Sequence, residues 1–133
     1  MRFRAHHLIC IRAFEGKGYS KEFIENMANT LKKIKEENPI IYITHGPDVF
    51  CEKCPHNDHG CTKHGNISEF NIRSKDERFL KEIGIPLETK GRAKDIIEKA
   101  YGKIGAQEIK KLCKTCSWQS ICLLKHHLKK VSL

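Results

Sequence analysis

Apolar residues in this chain recur mainly at helical spacing. Phe23, Met27, Leu31 and Ile34 return every third or fourth position with charges between them, which is one face of an α-helix. Ser20 is placed to cap that helix, and Asn38-Pro39 stops it after about Glu37. The clearest pattern is Ala93, Ile96, Ile97, Ala100, Tyr101 and Ile104, a broad apolar stripe that predicts a core helix. A short helix is expected from Ala5 to Phe14, ended by Gly16-Lys17-Gly18. Another is expected from a cap at Ser74, followed by Asp76 and Glu77, to Gly84 with Pro86 beyond. Two more apolar faces group Ile109, Leu112, Cys113 and Cys116, then Trp118, Ile121 and Cys122.

Only Ile40-Ile41-Tyr42-Ile43 reads as a strand, being short and β-branched. Its candidate partner is the segment around Arg2-Phe3-Arg4. The fold class is therefore mainly α, a small helical fold with a cysteine-rich metal-binding loop and at most a short β element. At 133 residues the chain suits one domain spanning 1–133. Apolar residues make up only 39% and charged residues 31%, so a metal staple would add useful stabilisation. No run approaches the roughly 18 apolar residues that span a bilayer. The start, Met1-Arg2-Phe3-Arg4, carries no leader-like apolar region. A soluble cytoplasmic protein with no membrane partner is expected.

Cysteine changes the picture most. Six of the seven cysteines form two triads, Cys51/Cys54/Cys61 and Cys113/Cys116/Cys122, each opening with Cys-x2-Cys. That spacing lets one turn present two sulfurs to one ion. An odd total, in a compartment that keeps thiols reduced, argues for metal or redox chemistry over a disulfide scaffold. The first triad lies in a polar loop with His56, His59 and His64, and Pro55 follows Cys54, as proline follows a ligating cysteine in bacterial ferredoxins. A zinc knuckle built from Cys51, Cys54, His59 and His64 is the alternative there. The second triad sits beside Trp118 and apolar residues, an all-sulfur setting that favours a soft centre. His6 and Cys10 stand four apart and share a helix face. They read as further metal ligands, as core packing, or as a nucleophile with its base.

Three function classes follow. The leading one is an iron–sulfur protein, with a cluster of the 4Fe–4S type in a redox or structural role and a redox partner. Its ligands come from Cys51, Cys54, Cys61, Cys113, Cys116 and Cys122, with Cys10 and His6 in reserve. Cys61 and Cys122 separate one site from two. The second is a zinc module that binds nucleic acid through the basic C-terminal half. Residues 86–133 hold 11 basic and 4 acidic side chains of a chain whose formal charge is +9. The aromatics there are only Trp118 and Tyr101, too few for a base-stacking platform. The third is a metal-dependent enzyme using His6, Cys10 and the Arg2/Arg4 pair. No spacing in the chain names its reaction.

Three blocks together carry a resemblance. They are Arg4-Ala5-His6-His7-Leu8-Ile9-Cys10 with Gly16-Lys17-Gly18-Tyr19-Ser20, then Asp48-Val49-Phe50-Cys51-Glu52-Lys53-Cys54-Pro55, then Cys113-x2-Cys116-Ser117-Trp118-x3-Cys122. In this order they resemble domain-of-unknown-function family 1284, small bacterial and archaeal proteins. The resemblance implies an iron–sulfur centre and no particular reaction. The ligands it implies are the six triad cysteines, with His6, His7 and Cys10 in a separate shared block.

Overall fold

The computed structural model describes residues 1–13, 19–58, 60–63, 65, 67–105, 107, 110 and 111. Among the described residues, four α-helices and one short three-stranded sheet are defined. In chain order these are β1 (Arg2–Phe3), α1 (His7–Ala13), α2 (Lys21–Glu37), β2 (Ile40–Ile43), α3 (Ser68–Ile83), β3 (Lys90–Arg92) and α4 (Ala93–Lys103). The fold is mainly helical, as the periodicity predicts, and no helix among the described residues is long and apolar enough to cross a membrane.

The strand order is β1-β2-β3, with β1 parallel and β3 antiparallel to β2. The pairing of Phe3 with Ile43 confirms the expected partner of β2. The third strand was not legible, because Lys90-Gly91-Arg92 has little β-propensity. Tertiary packing selects it. Gly91 pairs with Ile41, and a Cβ at Gly91 would come within 3.2 Å of Ile96 Cδ1 on α4. The glycine therefore lets α4 lie close over the strand.

The apolar stripe of α4 is the centre of the core, with Ala93, Ile96, Ile97, Ala100 and Tyr101 buried. It touches α1, α2 and α3. Leu8 and Ile11 of α1, Ile34 of α2, Ile41 and Ile43 of β2, and Phe79 and Ile83 of α3 are fully buried around it. Each such side chain contributes on the order of 1.5–3 kcal/mol relative to exposure. The core is thus built of interdigitated helices and sheet.

Two boundaries differ from expectation. The first helix begins at His7 and not Ala5, because residues 4–6 form the turn that leaves β1. Phe14 lies outside the described residues, as do the apolar faces built on Ile109, Leu112, Cys113, Cys116, Trp118, Ile121 and Cys122. The third helix begins at Ser68, six residues before Ser74. Ser74 has good capping chemistry, but Glu69 in the true first turn makes stronger contacts that set the helix start (below).

Asn38 joins two helices. Its backbone takes φ 43° at the C-terminal end of α2, and its N–H donates to Ile34 O, a left-handed cap that asparagine tolerates. Its side-chain Oδ1 accepts from Lys94 N at 2.9 Å, within the first turn of α4, which satisfies an orphan helix donor. Replacing Asn38 with alanine removes both functions and is expected to cost about 1–2 kcal/mol. Asn38→Gly keeps the backbone geometry and loses only the side-chain cap, so it should cost less than alanine. Urea denaturation of the two variants checks the order.

Candidate functional site

The turn between β1 and α1, residues Arg4-Ala5-His6-His7, is held from outside by three carboxylates. Arg4 is 1% exposed. Its guanidinium forms a two-pronged pair with Glu69 of α3, Nη1 donating to Oε2 at 3.1 Å and Nη2 to Oε1. Glu69 also accepts from Arg73 Nε at 2.7 Å and from Cys61 N at 2.8 Å. Burial would raise the Glu69 carboxyl, but Arg4, Arg73 and the Cys61 N–H bring it down to about 2. One side chain thereby ties β1, α3 and the cysteine loop together.

Asp48, 3% exposed, comes from the loop after β2. Its Oδ2 accepts from Arg4 N at 2.6 Å and from His7 Nδ1 at 2.7 Å. Its Oδ1 accepts from Phe50 N at 3.0 Å and Cys51 N at 3.3 Å. Burial works against the charge, but His7 and the Arg4 N–H outweigh it and hold the carboxyl near 2. Asp76 of α3, also 3% exposed, accepts from His6 N at 3.0 Å and from His6 Nδ1 at 2.7 Å. Burial raises it and His6 lowers it, with a net depression.

Both carboxylates are ionised at neutral pH and accept only. Each imidazole therefore carries its proton on Nδ1 toward an aspartate, which leaves Nε2 on the opposite edge of the ring. The rings of His6 and His7 are neighbours, with centroids 4.2 Å apart and planes at 51°. The Phe50 ring closes the His7 side edge-on, at 5.0 Å, and Phe3 packs against Phe50. The histidine side chains are mostly buried, 12% and 14% exposed.

Burial pushes His6 down to about 4. Asp76 opposes the shift, and the charges of His7 and Lys75 reinforce it. At pH 7 His6 is neutral, and its contact with Asp76 is a hydrogen bond and not an ion pair.

The iron–sulfur assignment is overturned. Among the described residues no three His, Cys, Asp or Glu side chains form a group able to hold a metal ion. Cys51, Cys54 and Cys61 go to different neighbours. Cys51 lies against Arg4, and burial followed by the Asp48 charge pushes its thiol up to about 12. Cys54 is half-buried against the hydrophobic core, and burial raises its thiol too. Cys61 Sγ lies 3.2 Å from Ser68 Oγ. His6 is turned to Asp76, and Cys10 packs beside the core. The aspartates approach the imidazoles from the Nδ1 edge and cannot join Nε2 on one ion. These residues do not fit a cluster or a zinc ion, and the cysteine-rich metal-binding loop is withdrawn with them. Cys113, Cys116 and Cys122, like His59 and His64, lie outside the described residues.

The loop owes its order to other contacts. His56 O accepts from Thr62 N at 2.7 Å and from Thr62 Oγ1 at 2.6 Å. Lys63 Nζ donates to Tyr19 OH at 2.9 Å, and Tyr19 packs edge-on against His56 and Phe23. The residues missed from sequence were Asp48, Asp76 and Glu69. Their only signal was Asp48 inside a recognisable block. Asp76 read only as an acid in the first turn of a helix capped at Ser74, and nothing singled out Glu69.

The depressed groups make stability acid-sensitive in two stages. The unfolded chain takes a proton on His6 near pH 6.5, the folded chain only near 4. Stability is therefore fully present above 6.5 and falls by roughly 3 kcal/mol as pH drops to 4. Asp48 and Glu69 remain charged until about 2, so their stabilisation is lost from about 4 downward. His6→Asn keeps a donor for Asp76 and removes the titration. Urea midpoints between pH 7 and 4 should flatten in that variant, and an unchanged slope would count against the His6 environment described.

No curated protein and no solved structure matches the chain. The matched part of the chain runs through Asp48, Glu69 and Asp76 and starts after His7. The family model described as "Protein of unknown function (DUF1284)" matches residues 18–122, most of the chain, and the chain belongs to that family.

Proposed function

We propose that the paired imidazoles form a general acid–base site, and that the chain is a proton-transfer enzyme. The observation that supports this is the repetition: two adjacent histidines, each with Nδ1 2.7 Å from its own buried aspartate. Structural need explains the aspartates in part, since backbone N–H groups of Arg4, His6, Phe50 and Cys51 donate to them. Those bonds form whatever side chains stand at positions 6 and 7. They leave the two imidazoles unexplained. A carboxylate on Nδ1 fixes the tautomer, orients the ring and strengthens the far nitrogen as a base.

The two rings take different roles. His6, neutral and held near 4, is too weak a base to carry protons efficiently at neutral pH. It serves as a hydrogen-bond acceptor that positions a substrate O–H or N–H. His7 moves the proton, with Asp48 stabilising the imidazolium as it forms. A charge on His7, whose ring centroid is 4.2 Å away, opposes protonation of His6. Cys51 does not act as nucleophile, because its thiol is pushed up to about 12.

The test is turnover of activated esters, p-nitrophenyl acetate and p-nitrophenyl phosphate, at pH 7. Asparagine retains a donor toward each aspartate and deletes Nε2, so His7→Asn and His6→Asn separate chemistry from folding. His7→Asn is expected to lower turnover about 100-fold or more, and His6→Asn less, about tenfold. A double variant that matches the parent protein would sink the acid–base reading.

A further inference from the structure

The outer face of the sheet has no part in the site described above. Phe3, Ile41 and Ile43 point into the core and are fully buried. Side chains alternate along a strand, so Arg2, Ile40 and Tyr42 stand on the other face, where Ile40 is 48% exposed. Pairing carries that face onto β3. Arg2 lies opposite Tyr42, Tyr42 opposite Lys90, and Ile40 opposite Arg92. Directly paired residues share a face. One row therefore reads Arg2–Tyr42–Lys90, about 10 Å across at the usual strand spacing, and the next reads Ile40–Arg92. Arg2, Lys90 and Arg92 are exposed. The Lys90 ammonium stands over the Tyr42 ring, 6.0 Å from its centroid.

The face is cationic. None of the three strands contains an acidic residue, and the acids closest in sequence, Glu37 and Glu88, precede β2 and β3. Arg92 Nη1 donates to Asn38 O at 3.2 Å, and Lys94 Nζ donates to Lys35 O at 3.0 Å. Those carbonyls accept hydrogen bonds without cancelling a charge, and they hold two cations at the C-terminal end of α2. Edge protection explains part of this. The outer strands are β1 and β3, and charged side chains keep an edge from pairing with another chain. It does not explain why the central strand leaves Ile40 and Tyr42 open between the charges. An aromatic ring and an aliphatic side chain framed by cations suit a ligand with flat apolar faces and a regularly anionic backbone.

We infer that this face binds single-stranded nucleic acid, with one base stacked on Tyr42 beside Ile40 and the flanking phosphates held by Arg2 on one side and by Lys90 and Arg92 on the other. The aromatics of residues 86–133 are only Tyr101 and Trp118, and Tyr101 is buried. The sheet supplies what that stretch lacks, because pairing sets Tyr42 of β2 against the cations of β3. A duplex keeps its bases stacked on one another and offers no free base to the ring, so the single strand is the partner. An acidic peptide would satisfy the cations and leave Tyr42 without a role. The inference is independent of the acid–base reading, whose histidines lie on the turn after β1 and the start of α1.

The probe is a fluorescein-labelled oligothymidylate of about 12 nucleotides, titrated with the full chain at pH 7 and followed by fluorescence anisotropy. The expected result is saturable binding whose log–log salt slope is about −2, as for three phosphate contacts. Tyr42→Phe should retain the affinity. Tyr42→Leu should weaken it about tenfold, the loss of one stacked base. Arg2→Gln with Lys90→Gln should weaken it further and flatten the slope by roughly 1.4. Arg78→Gln with Lys81→Gln removes two exposed cations of α3 and should leave the affinity within about twofold. Should Tyr42→Leu fail to fold in a urea melt, the two glutamine pairs decide, since both alter exposed side chains. No saturable binding, a blunt duplex bound as tightly, or equal loss in both glutamine pairs overturns the inference. Displacement of the oligonucleotide by polyglutamate, with Tyr42→Leu unchanged, assigns the face to an acidic protein and also overturns it.

Discussion

The turn from Arg4 to His7 is the constraint on which this structure depends. It connects a two-residue strand to a seven-residue helix, neither of which is stable alone. Three carboxylates, from the loop after β2 and from two successive levels of α3, converge on it. Glu69 and Asp76 are seven residues apart and so lie on one helix face. Their grip on residues 4 and 6 fixes how α3 crosses the first strand and helix. Asp48 draws the chain after β2 onto the same turn. The sheet, the helical core and the cysteine loop thereby meet at one polar junction.

Such a junction is expensive. Two carboxylates, Asp48 and Asp76, and the Arg4 guanidinium are withdrawn from water, and a carboxylate left unpaired there would cost several kcal/mol. The geometry offsets this by giving Asp48 four donors and Glu69 the fork of Arg4. The same offsets produce the chemistry. An aspartate that must be ionised to satisfy backbone N–H groups also dictates which imidazole nitrogen carries the proton. Structural necessity and site preorganisation are in this case one set of bonds. The cysteines stand at the margin of this arrangement. Cys51 is a thiol against a guanidinium, and Cys61 contributes its backbone N–H to Glu69.

What the sequence made legible follows from range. The helix of Phe23, Met27 and Ile34, and that of Ala93 to Tyr101, announce themselves because burial periodicity is a local property. The strand Ile40–Ile43 is legible for the same reason. The strand Lys90–Arg92 is not, since only the fit of Gly91 under Ile96 selects it. The site was legible in its histidines and in the block around Asp48, but its logic was misread. Cys-x2-Cys spacing is a strong local signal, and it outweighed carboxylates whose partners lie 41 to 70 residues away. Spacing reports what a turn can present to an ion. It cannot report that burial and a buried aspartate keep the first sulfur protonated against the opposing pull of Arg4.

The central claim is that Asp76 and Asp48 dictate the protonation geometry of His6 and His7. Nitrogen-15 NMR of the imidazoles at pH 7 tests it most directly. The account predicts Nδ1–H protons of both rings shifted far downfield by their carboxylates, with His6 Nε2 an unprotonated, pyridine-type nitrogen. Asp76→Asn should abolish the His6 signature and spare that of His7, and Asp48→Asn should do the reverse. A proton found on His6 Nε2 instead, or ring resonances indifferent to both substitutions, would contradict the account.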